Sequence, residues 1–242
     1  IGALGGASLV FALNGLTYAF VIAALMSVDV DFSPTGRRGE PPLTQLRRGL
    51  SAAKADALVT RVLVTISLLS TCSLVFIYQM PLLAERQLGL TGWRFNLLFA
   101  SFALGAACGA LAMGSALSRR DRAATTRVAL GVFAVALAVF GTTRSVPAAF
   151  VSAVVCGGCY FVTVTALSTT LQMRVPDEVR GRVMGLWMMA WAGLVPLGGL
   201  IAGPIIDLVG ISPVLLFGAA VAAALAALVD LRDPDLVRAG AL

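Results

Sequence analysis

The sequence has no histidine and few charged side chains, and both scarcities narrow what the chain can be. Only 12% of its 242 residues are Asp, Glu, Lys or Arg, whereas roughly a quarter is usual in a soluble domain. Hydrophobic residues make up 59% of the chain, and a soluble core cannot hide that much apolar surface. The composition excludes an ordinary soluble domain and predicts a protein that lipid surrounds.

Groups that perform chemistry are scarce inside the apolar segments. A membrane-embedded enzyme needs clustered acids, bases or metal ligands, and these segments contain none. Cys156 and Cys159 form a C-x-x-C pattern, but no histidine and no second cysteine pair accompanies it. Small residues that permit close helix packing are the favoured interpretation. We therefore expect no catalytic residues, no metal and no cofactor, and no nucleotide-binding loop is present to make ATP the direct energy source.

Seven apolar segments are separated by short polar loops. Each is long enough to cross a bilayer, the fourth only marginally, and each must be helical because lipid offers the backbone no hydrogen bonds. The predicted spans are residues 4–28, 62–83, 93–117, 128–142, 148–171, 183–209 and 214–231. The sequence thus predicts an all-α integral membrane protein with seven transmembrane helices.

Basic residues mark one side of this protein. Fifteen of the 18 Lys and Arg residues lie in the stretches 29–61, 118–127, 173–182 and after 231. The other loops hold only Arg86, Arg94 and Arg144. Loops rich in Lys and Arg stay in the cytoplasm, which places Ile1 outside and Leu242 in the cytoplasm of a multi-pass inner-membrane protein. The same bias accounts for the net charge of +6, so no nucleic-acid partner is indicated.

The one long polar loop divides the chain. Residues 1–28 form a single span, 29–60 a cytoplasmic linker, and 61–242 a set of six spans, which is the shape of a transporter half. The linker begins with prolines and glycines and continues with a helical repeat of apolar residues, which predicts an amphipathic helix on the membrane surface. These apolar positions are Leu43, Leu46, Leu50, Ala53 and Ala57.

The second, fifth and sixth spans carry the polar and aromatic residues. Hydroxyls in a membrane either bond back to their own helix or line a wet cavity, and a bulky stripe is either core packing or a lipophilic substrate surface. The candidate substrate-cavity residues are Ser67, Thr71, Tyr78, Tyr160, Thr163, Trp187 and Trp191. The fourth and seventh spans have almost no polar residue, and we expect them at the periphery.

Glycine pairs predict where helices pack closely. These pairs are Gly105 with Gly109 in the third span and Gly199 with Gly203 in the sixth. Pro196 and Pro204 predict a bend in the sixth span.

The stretch VPDEVRGRVMGL (residues 175–186) resembles the cytoplasmic loop before the eleventh helix of major facilitator superfamily transporters. The continuation GLVPLGGLIAGP (193–204) strengthens the likeness, and NGLTYAFVIAA (14–24) resembles the sixth helix of that superfamily. The likeness is greatest to the branch of enterobactin exporters and macrolide efflux proteins, and it extends through essentially the whole chain.

The resemblance implies that helices six to twelve are present and one to five absent, so that the last six spans form the C-terminal half of the bundle. It implies a secondary transporter, driven by an ion gradient, that exports a small lipophilic or amphipathic molecule such as a drug or a siderophore. The partners would be that substrate, the lipid bilayer and the missing N-terminal half. Asp177, Glu178 and Arg180 are candidates for a cytoplasmic gate, the alternative being a solvated loop that sets topology.

The chain begins with Ile, almost directly in an apolar run, and we interpret it as a piece of a longer protein. A non-transporting membrane scaffold, or a degenerate remnant of half a transporter, is the alternative to an exporter.

No ionisable residue lies near the centre of the last six spans, so a proton-coupling group is expected outside them.

Overall fold

The computed structural model describes residues 2–27 and 41–232, and nearly all of these residues are helical. Two α-helical runs contain a five-residue π-helical turn, and we call these turns the first and second π segments, Leu69–Ser73 and Met189–Gly193. The α-helices are α1 (Gly2–Met26), α2 (Pro42–Ala55), α3 (Ala57–Leu68), α4 (Val75–Leu88), α5 (Trp93–Gly114), α6 (Arg122–Thr142), α7 (Val146–Arg174), α8 (Asp177–Met188), α9 (Leu194–Val209) and α10 (Ile211–Leu228).

The helices account for the predicted crossings. Six runs are long and apolar enough to span a bilayer: Ala57–Leu88, Trp93–Gly114, Arg122–Thr142, Val146–Arg174, Asp177–Val209 and Ile211–Leu228. The helix α1, which has 25 residues, corresponds to the first predicted span, and its apolar part Phe11–Met26 is shorter than the other six runs. The predicted all-α membrane fold is confirmed.

Several predicted boundaries were wrong. The second span begins at Ala57 rather than at residue 62, and the sixth at Asp177 rather than at 183. The loop expected at 173–182 is therefore only Val175 and Pro176. Arg and Asp residues extend these helices beyond the apolar run because their charged ends lie in water at the helix terminus.

The chain forms two compact units, Ile1–Pro41 and Pro42–Leu242. The first contains α1. The proline- and glycine-rich part of the predicted linker, with Pro34, Gly36 and Gly39, lies outside the described residues. The second unit contains all the other helices.

The amphipathic helix predicted in the linker corresponds to α2. It ends at Ala55, so Ala57 belongs to the next helix and not to this one. Asp56 separates the two, since its Oδ1 accepts hydrogen bonds from the backbone N–H groups of Leu58 (2.8 Å) and Val59 (3.2 Å) and so caps α3. Close packing against α8 is possible because Gly49 lies at the Arg182 carbonyl.

Phe76 of α4 lies at the centre of the second unit and is fully buried. Its ring packs on Phe102 of α5, and on Phe133 and Phe140 of α6, at centroid distances of 5.5, 6.2 and 5.8 Å. Edge-to-face aromatic pairs of this kind contribute about 1 kcal/mol each beyond area burial. Three spans therefore meet at one side chain.

The helices α5 and α7 pack with their backbones almost in contact. A Cβ on Gly105 would overlap the Val154 carbonyl, one on Gly109 the Gly158 carbonyl, and one on Gly157 the Phe102 carbonyl. Small residues allow this close approach, and lipid-embedded helices gain from it because dispersion, not the hydrophobic effect, holds them together. Gly157 lies between Cys156 and Cys159, so that motif sits on the packing surface.

The fourth and seventh spans, α6 and α10, each have one packed side. In α6 the side with Leu130 and Leu137 is buried, whereas Val128 and Val135 are about two-thirds exposed. This helix packs on α7 and α10.

Replacement of Gly105 by alanine tests the α5–α7 contact. We expect Gly105→Ala to lower stability by about 1–3 kcal/mol, the usual effect of overpacking, because its methyl group would overlap a backbone carbonyl that cannot move aside. The measurement is thermal unfolding of the purified protein in detergent.

The matched control is Gly131→Ala on α6, where a Cβ meets nothing within 4 Å. Alanine there should leave stability unchanged or raise it by up to ~1 kcal/mol, since it has the higher helix propensity. Equal melting temperatures for the two variants would refute the close contact.

Candidate functional site

The two π segments break the regular helical register near the middle of the second and sixth spans. In the first, the Leu74 N–H bonds to the Leu69 carbonyl, five residues back, at 3.0 Å. The second ends three residues before Pro196. Pro196 has no backbone N–H to donate within the helix, so the regular hydrogen bonding of the sixth span is interrupted again just after the second π segment.

A neighbouring span bonds to the second π segment. Ser70 Oγ, in the first π segment, donates to the Trp191 carbonyl at 3.0 Å. The Trp191 indole Nε1 in turn donates to the hydroxyl of Tyr160 on α7 at 2.7 Å. We call this chain of hydrogen bonds the Ser70–Trp191–Tyr160 junction, and it ties together the second, fifth and sixth spans.

Glycines hold the neighbouring helices against the first π segment. A Cβ on Gly198 of α9 would overlap the Thr71 carbonyl, and one on Gly218 of α10 would lie 2.7 Å from the Cys72 carbonyl. Ser73 Oγ donates to the Gly218 carbonyl at 2.7 Å. The π segment thus sits where three spans meet.

An apolar groove of about 520 Å³ runs between α3 and the sixth span. Its wall is apolar except for Ser67 near the middle, and for Thr60 and Lys54 toward the end where α2 lies. We call it the α3–α9 groove, and its apolar wall includes Leu63, Val64, Leu186, Met189, Leu194 and Leu197. Such a surface suits a lipophilic molecule with few polar groups.

The predicted cavity residues on the second span do not share one surface. Ser67 lines the α3–α9 groove, whereas Thr71 lines a separate apolar pocket of about 470 Å³ with Gly198 and Phe217. Tyr78 is exposed. The extra residue of a π turn rotates the following helix, so positions that share a face in a regular α-helix separate.

The hydroxyls of Ser67 and Thr71 bond within their own span. Ser67 Oγ donates to the Leu63 carbonyl at 2.7 Å, and Thr71 Oγ1 to the Ser67 carbonyl at 2.8 Å. Each remains able to accept a hydrogen bond, because a hydroxyl oxygen has two lone pairs.

The other predicted cavity residues lie deeper. Tyr160, Thr163 and Trp187 are buried within the bundle, and Trp191 is half-buried. Thr163 Oγ1 has no hydrogen-bond partner among the residues that the structure describes. The junction brings Tyr160 and Trp191 into direct contact, and their role in substrate contact stays a prediction.

The glycine contact of the sixth span is at Gly198 instead of the predicted pair. Gly199 faces the Tyr78 ring, to which a Cβ would lie at 3.5 Å, and Gly203 faces open space. Sequence spacing does not distinguish adjacent glycines, because the π segment before them changes the face they present.

The candidate gate residues form a local cluster at the start of α8. Arg180 pairs with Asp177 one turn away and donates from Nη2 to the Val175 carbonyl at 3.2 Å. Asp177 and Glu178 are exposed and lie in the first turn of the helix, where carboxylates are stabilised by its dipole. Their role as a gate stays a prediction.

An ion pair that the sequence did not reveal joins two spans at the same end. Arg174 Nε, at the end of α7, donates to Asp56 Oδ2 at 2.6 Å, and both side chains are about a quarter exposed. Partial burial alone would raise the pKa of Asp56. The hydrogen bond from Arg174, those from the Val59 and Leu58 N–H groups, and the charge of Arg174 outweigh it, so the pKa lies below its ordinary value.

Two substitutions separate the cap of α3 from the ion pair. Asparagine also caps helices, so Asp56→Asn keeps the cap but removes the charge and the oxygen that accepts from Arg174, and it should destabilise the protein by about 1 kcal/mol. Asp56→Ala also removes the cap and should have a larger effect, by another ~1 kcal/mol. Unfolding of both variants at pH 7 measures the two contributions.

The stability that Asp56 contributes depends on pH with a defined sign. A carboxyl with a lowered folded-state pKa contributes stability above its unfolded pKa of about 3.9, and that stability is lost as the pH falls through the folded pKa. The gap between the protein and Asp56→Asn should therefore be constant above about pH 5 and close at lower pH. A gap that widens with acid would contradict the ion pair.

Comparison with known families assigns the chain. The family described as transmembrane secretion effector, of the major facilitator superfamily, matches residues 1–237. No curated protein matches the chain. The resemblance to the superfamily is confirmed, whereas the branch of enterobactin and macrolide exporters stays a prediction. This match covers nearly the whole sequence, and with the helical fold it shows that the chain belongs to the transmembrane secretion effector family of major facilitator superfamily transporters, which is not a family of enzymes.

Proposed function

We propose that the protein exports a small lipophilic or amphipathic molecule across the inner membrane by alternating access, driven by an ion gradient. Residues 61–242 act as the C-terminal half of the transporter. Residues 1–28 act as the last helix of the N-terminal half, and residues 29–60 act as the linker. The observation that carries the proposal is the α3–α9 groove.

The groove supports a lipophilic substrate by its chemistry. The groove has a volume of about 520 Å³, which suits a small molecule, and its wall is mostly apolar. The Ser67 hydroxyl offers one polar contact at membrane depth. Lys54 adds a cation at one end. A molecule with an apolar body and one polar or acidic end fits this arrangement.

The π segments support a rocking mechanism. Bending occurs in helices where the regular hydrogen bonds are interrupted, at π turns and at proline. The second span has its π segment next to the Gly198 and Gly218 contacts, and the sixth has its own beside Pro196. These are the positions at which α4 and α9 can tilt relative to α3 and α8 while the Ser70–Trp191–Tyr160 junction keeps the spans together.

The proposal for energy coupling rests on the positions of the carboxylates in the spans. Within the described spans, carboxylates lie toward the ends, at Glu85, Asp177, Glu178 and Asp207, and proton coupling needs a titratable group at depth. The coupling group is therefore proposed to lie in the N-terminal half.

Asp177, Glu178 and Arg180 are proposed to close the cytoplasmic end. The word secretion in the family description supports outward movement.

Transport by the whole protein in proteoliposomes tests the proposal. The probe is an environment-sensitive lipophilic dye, and the expected result is dye movement that needs an imposed proton gradient and stops when a protonophore collapses it. Dye movement that requires ATP would contradict the proposal. So would the absence of gradient-dependent dye movement when the reconstituted protein is folded.

A pair of valine substitutions assigns the route. Val64 is about half exposed in the groove, so Val64→Trp should fill it and slow dye movement by about tenfold, the equivalent of 1.4 kcal/mol. Val135 is exposed on α6, outside the groove, and Val135→Trp should leave the rate within about twofold. Equal rates for the two variants would remove the groove from the route.

A further inference from the structure

A second cavity, which shares no lining residue with the α3–α9 groove, is strongly basic. Its volume is about 530 Å³, and it lies among the start of α3, the α5–α6 turn, the end of α7 and the residues after α10. Five arginines line it together with a single carboxylate, that of Asp121. They are Arg119, Arg120, Arg122, Arg174 and Arg232.

Arg174 is paired with Asp56, and Asp121 alone does not balance the other four arginines. Both Asp121 oxygens accept backbone hydrogen bonds at the start of α6, from Ala123 N–H at 3.0 Å and Ala124 N–H at 3.1 Å. Its charge is thereby directed to the helix terminus. Among the described residues, Arg119, Arg120 and Arg122 form no ion pair. Like charges around one cavity repel, and an anion between them would relieve that repulsion.

The turn that carries the arginines is ordered by its own backbone. The Leu117 N–H bonds to the Ala112 carbonyl at 2.9 Å, and the Arg120 N–H to the Leu117 carbonyl at 3.0 Å. The guanidinium groups are therefore presented from a folded turn. Guanidinium forks match the oxygens of a phosphate group.

The basic cavity continues into an apolar groove. A cavity of about 760 Å³ shares Arg120 and Asp121 with it and extends along α5, α6 and α7. We call it the α5–α6 groove, and its apolar wall includes Cys108, Ala112, Val128, Val132, Val155 and Val162. It exists because the glycine contact draws α5 to α7, while α6 packs on α7 and α10.

From this geometry we propose that the protein binds an anionic phospholipid, with the phosphate group in the arginine cavity and an acyl chain in the α5–α6 groove. A free phosphate would use the arginines but not the adjoining groove, and an uncharged lipid would use the groove but not the arginines. The combination selects a molecule that has both parts. Anionic lipids are abundant at the cytoplasmic surface, the side to which the arginine-rich loops are assigned. The two sites share no lining residue, although both include part of α3, so the lipid site is distinct from the proposed transport route.

The test compares the whole protein in nanodiscs of phosphatidylcholine alone and with phosphatidylglycerol added. Native mass spectrometry counts bound lipid, and thermal unfolding measures stabilisation. We expect a retained phosphatidylglycerol and a higher melting temperature in its presence. The triple variant Arg119→Gln, Arg120→Gln, Arg122→Gln should lose that preference by about 100-fold, since each arginine near an anionic surface contributes roughly fivefold.

Matched variants keep the result specific. Arg144→Gln removes an exposed arginine from the opposite end and should retain the lipid preference. Val128→Trp should obstruct the α5–α6 groove and reduce retention, whereas Val151→Trp, equally exposed but outside that groove, should not. Melting in phosphatidylcholine alone shows that each variant is folded.

Three results would overturn the proposal. Inorganic phosphate that stabilises as strongly as phosphatidylglycerol would indicate a free-anion site. Equal loss of preference in Arg144→Gln would indicate general attraction to a charged bilayer. Unchanged lipid retention in both the triple arginine variant and Val128→Trp would show that neither cavity holds a lipid.

Discussion

A peptide group in the hydrocarbon core of a bilayer has no water to bond, and the rest of this structure follows from that constraint. The described spans are helical throughout, and their charged residues lie toward the ends. Spans also bond to one another at their irregular segments. The Trp191 carbonyl, in the second π segment, accepts a hydrogen bond from the hydroxyl of Ser70 in the first.

Helix association in lipid depends on contact rather than on release of water. This is why glycine controls the architecture. The backbones of α5 and α7 touch at Gly105, Gly109 and Gly157, and α9 touches the first π segment at Gly198. Around Phe76 the aromatic rings of α4, α5 and α6 fill the space that remains. Close contact in one place leaves gaps in others, and the α3–α9 and α5–α6 grooves are those gaps.

The sequence was sufficient for the class of fold, the order of the spans and the superfamily, because lipid imposes long apolar runs that are visible residue by residue. It was insufficient for which residues share a face. A π turn inserts a residue without a local signature, and so Ser67, Thr71 and Tyr78 separate onto different surfaces although a regular helix would align them. The Arg174–Asp56 pair was also missed, since it joins the ends of two spans that are far apart in the chain. Pro196 was recognised as a site of bending, but the bond from Ser70 to the Trp191 carbonyl nearby was not visible in the sequence.

The sidedness of the bundle connects these features. The ends of α5, α7 and α10 and the starts of α3, α6 and α8 carry the arginine cavity, the Arg174–Asp56 pair and the candidate gate. If the distribution of arginines sets orientation, this end faces the cytoplasm, where both the anionic lipid and the closing of an export pathway are proposed. The opposite end holds Arg144 and the α6–α7 turn.

Labelling from outside intact cells tests this orientation most directly. Ser118 and Ser145 are both exposed, in the α5–α6 and α6–α7 turns respectively, and each can be replaced by cysteine after the four native cysteines are changed to alanine. With a membrane-impermeant maleimide, we expect Ser145→Cys to be labelled in intact cells and Ser118→Cys only after permeabilisation. Labelling of Ser118→Cys in intact cells, with Ser145→Cys protected, would contradict it.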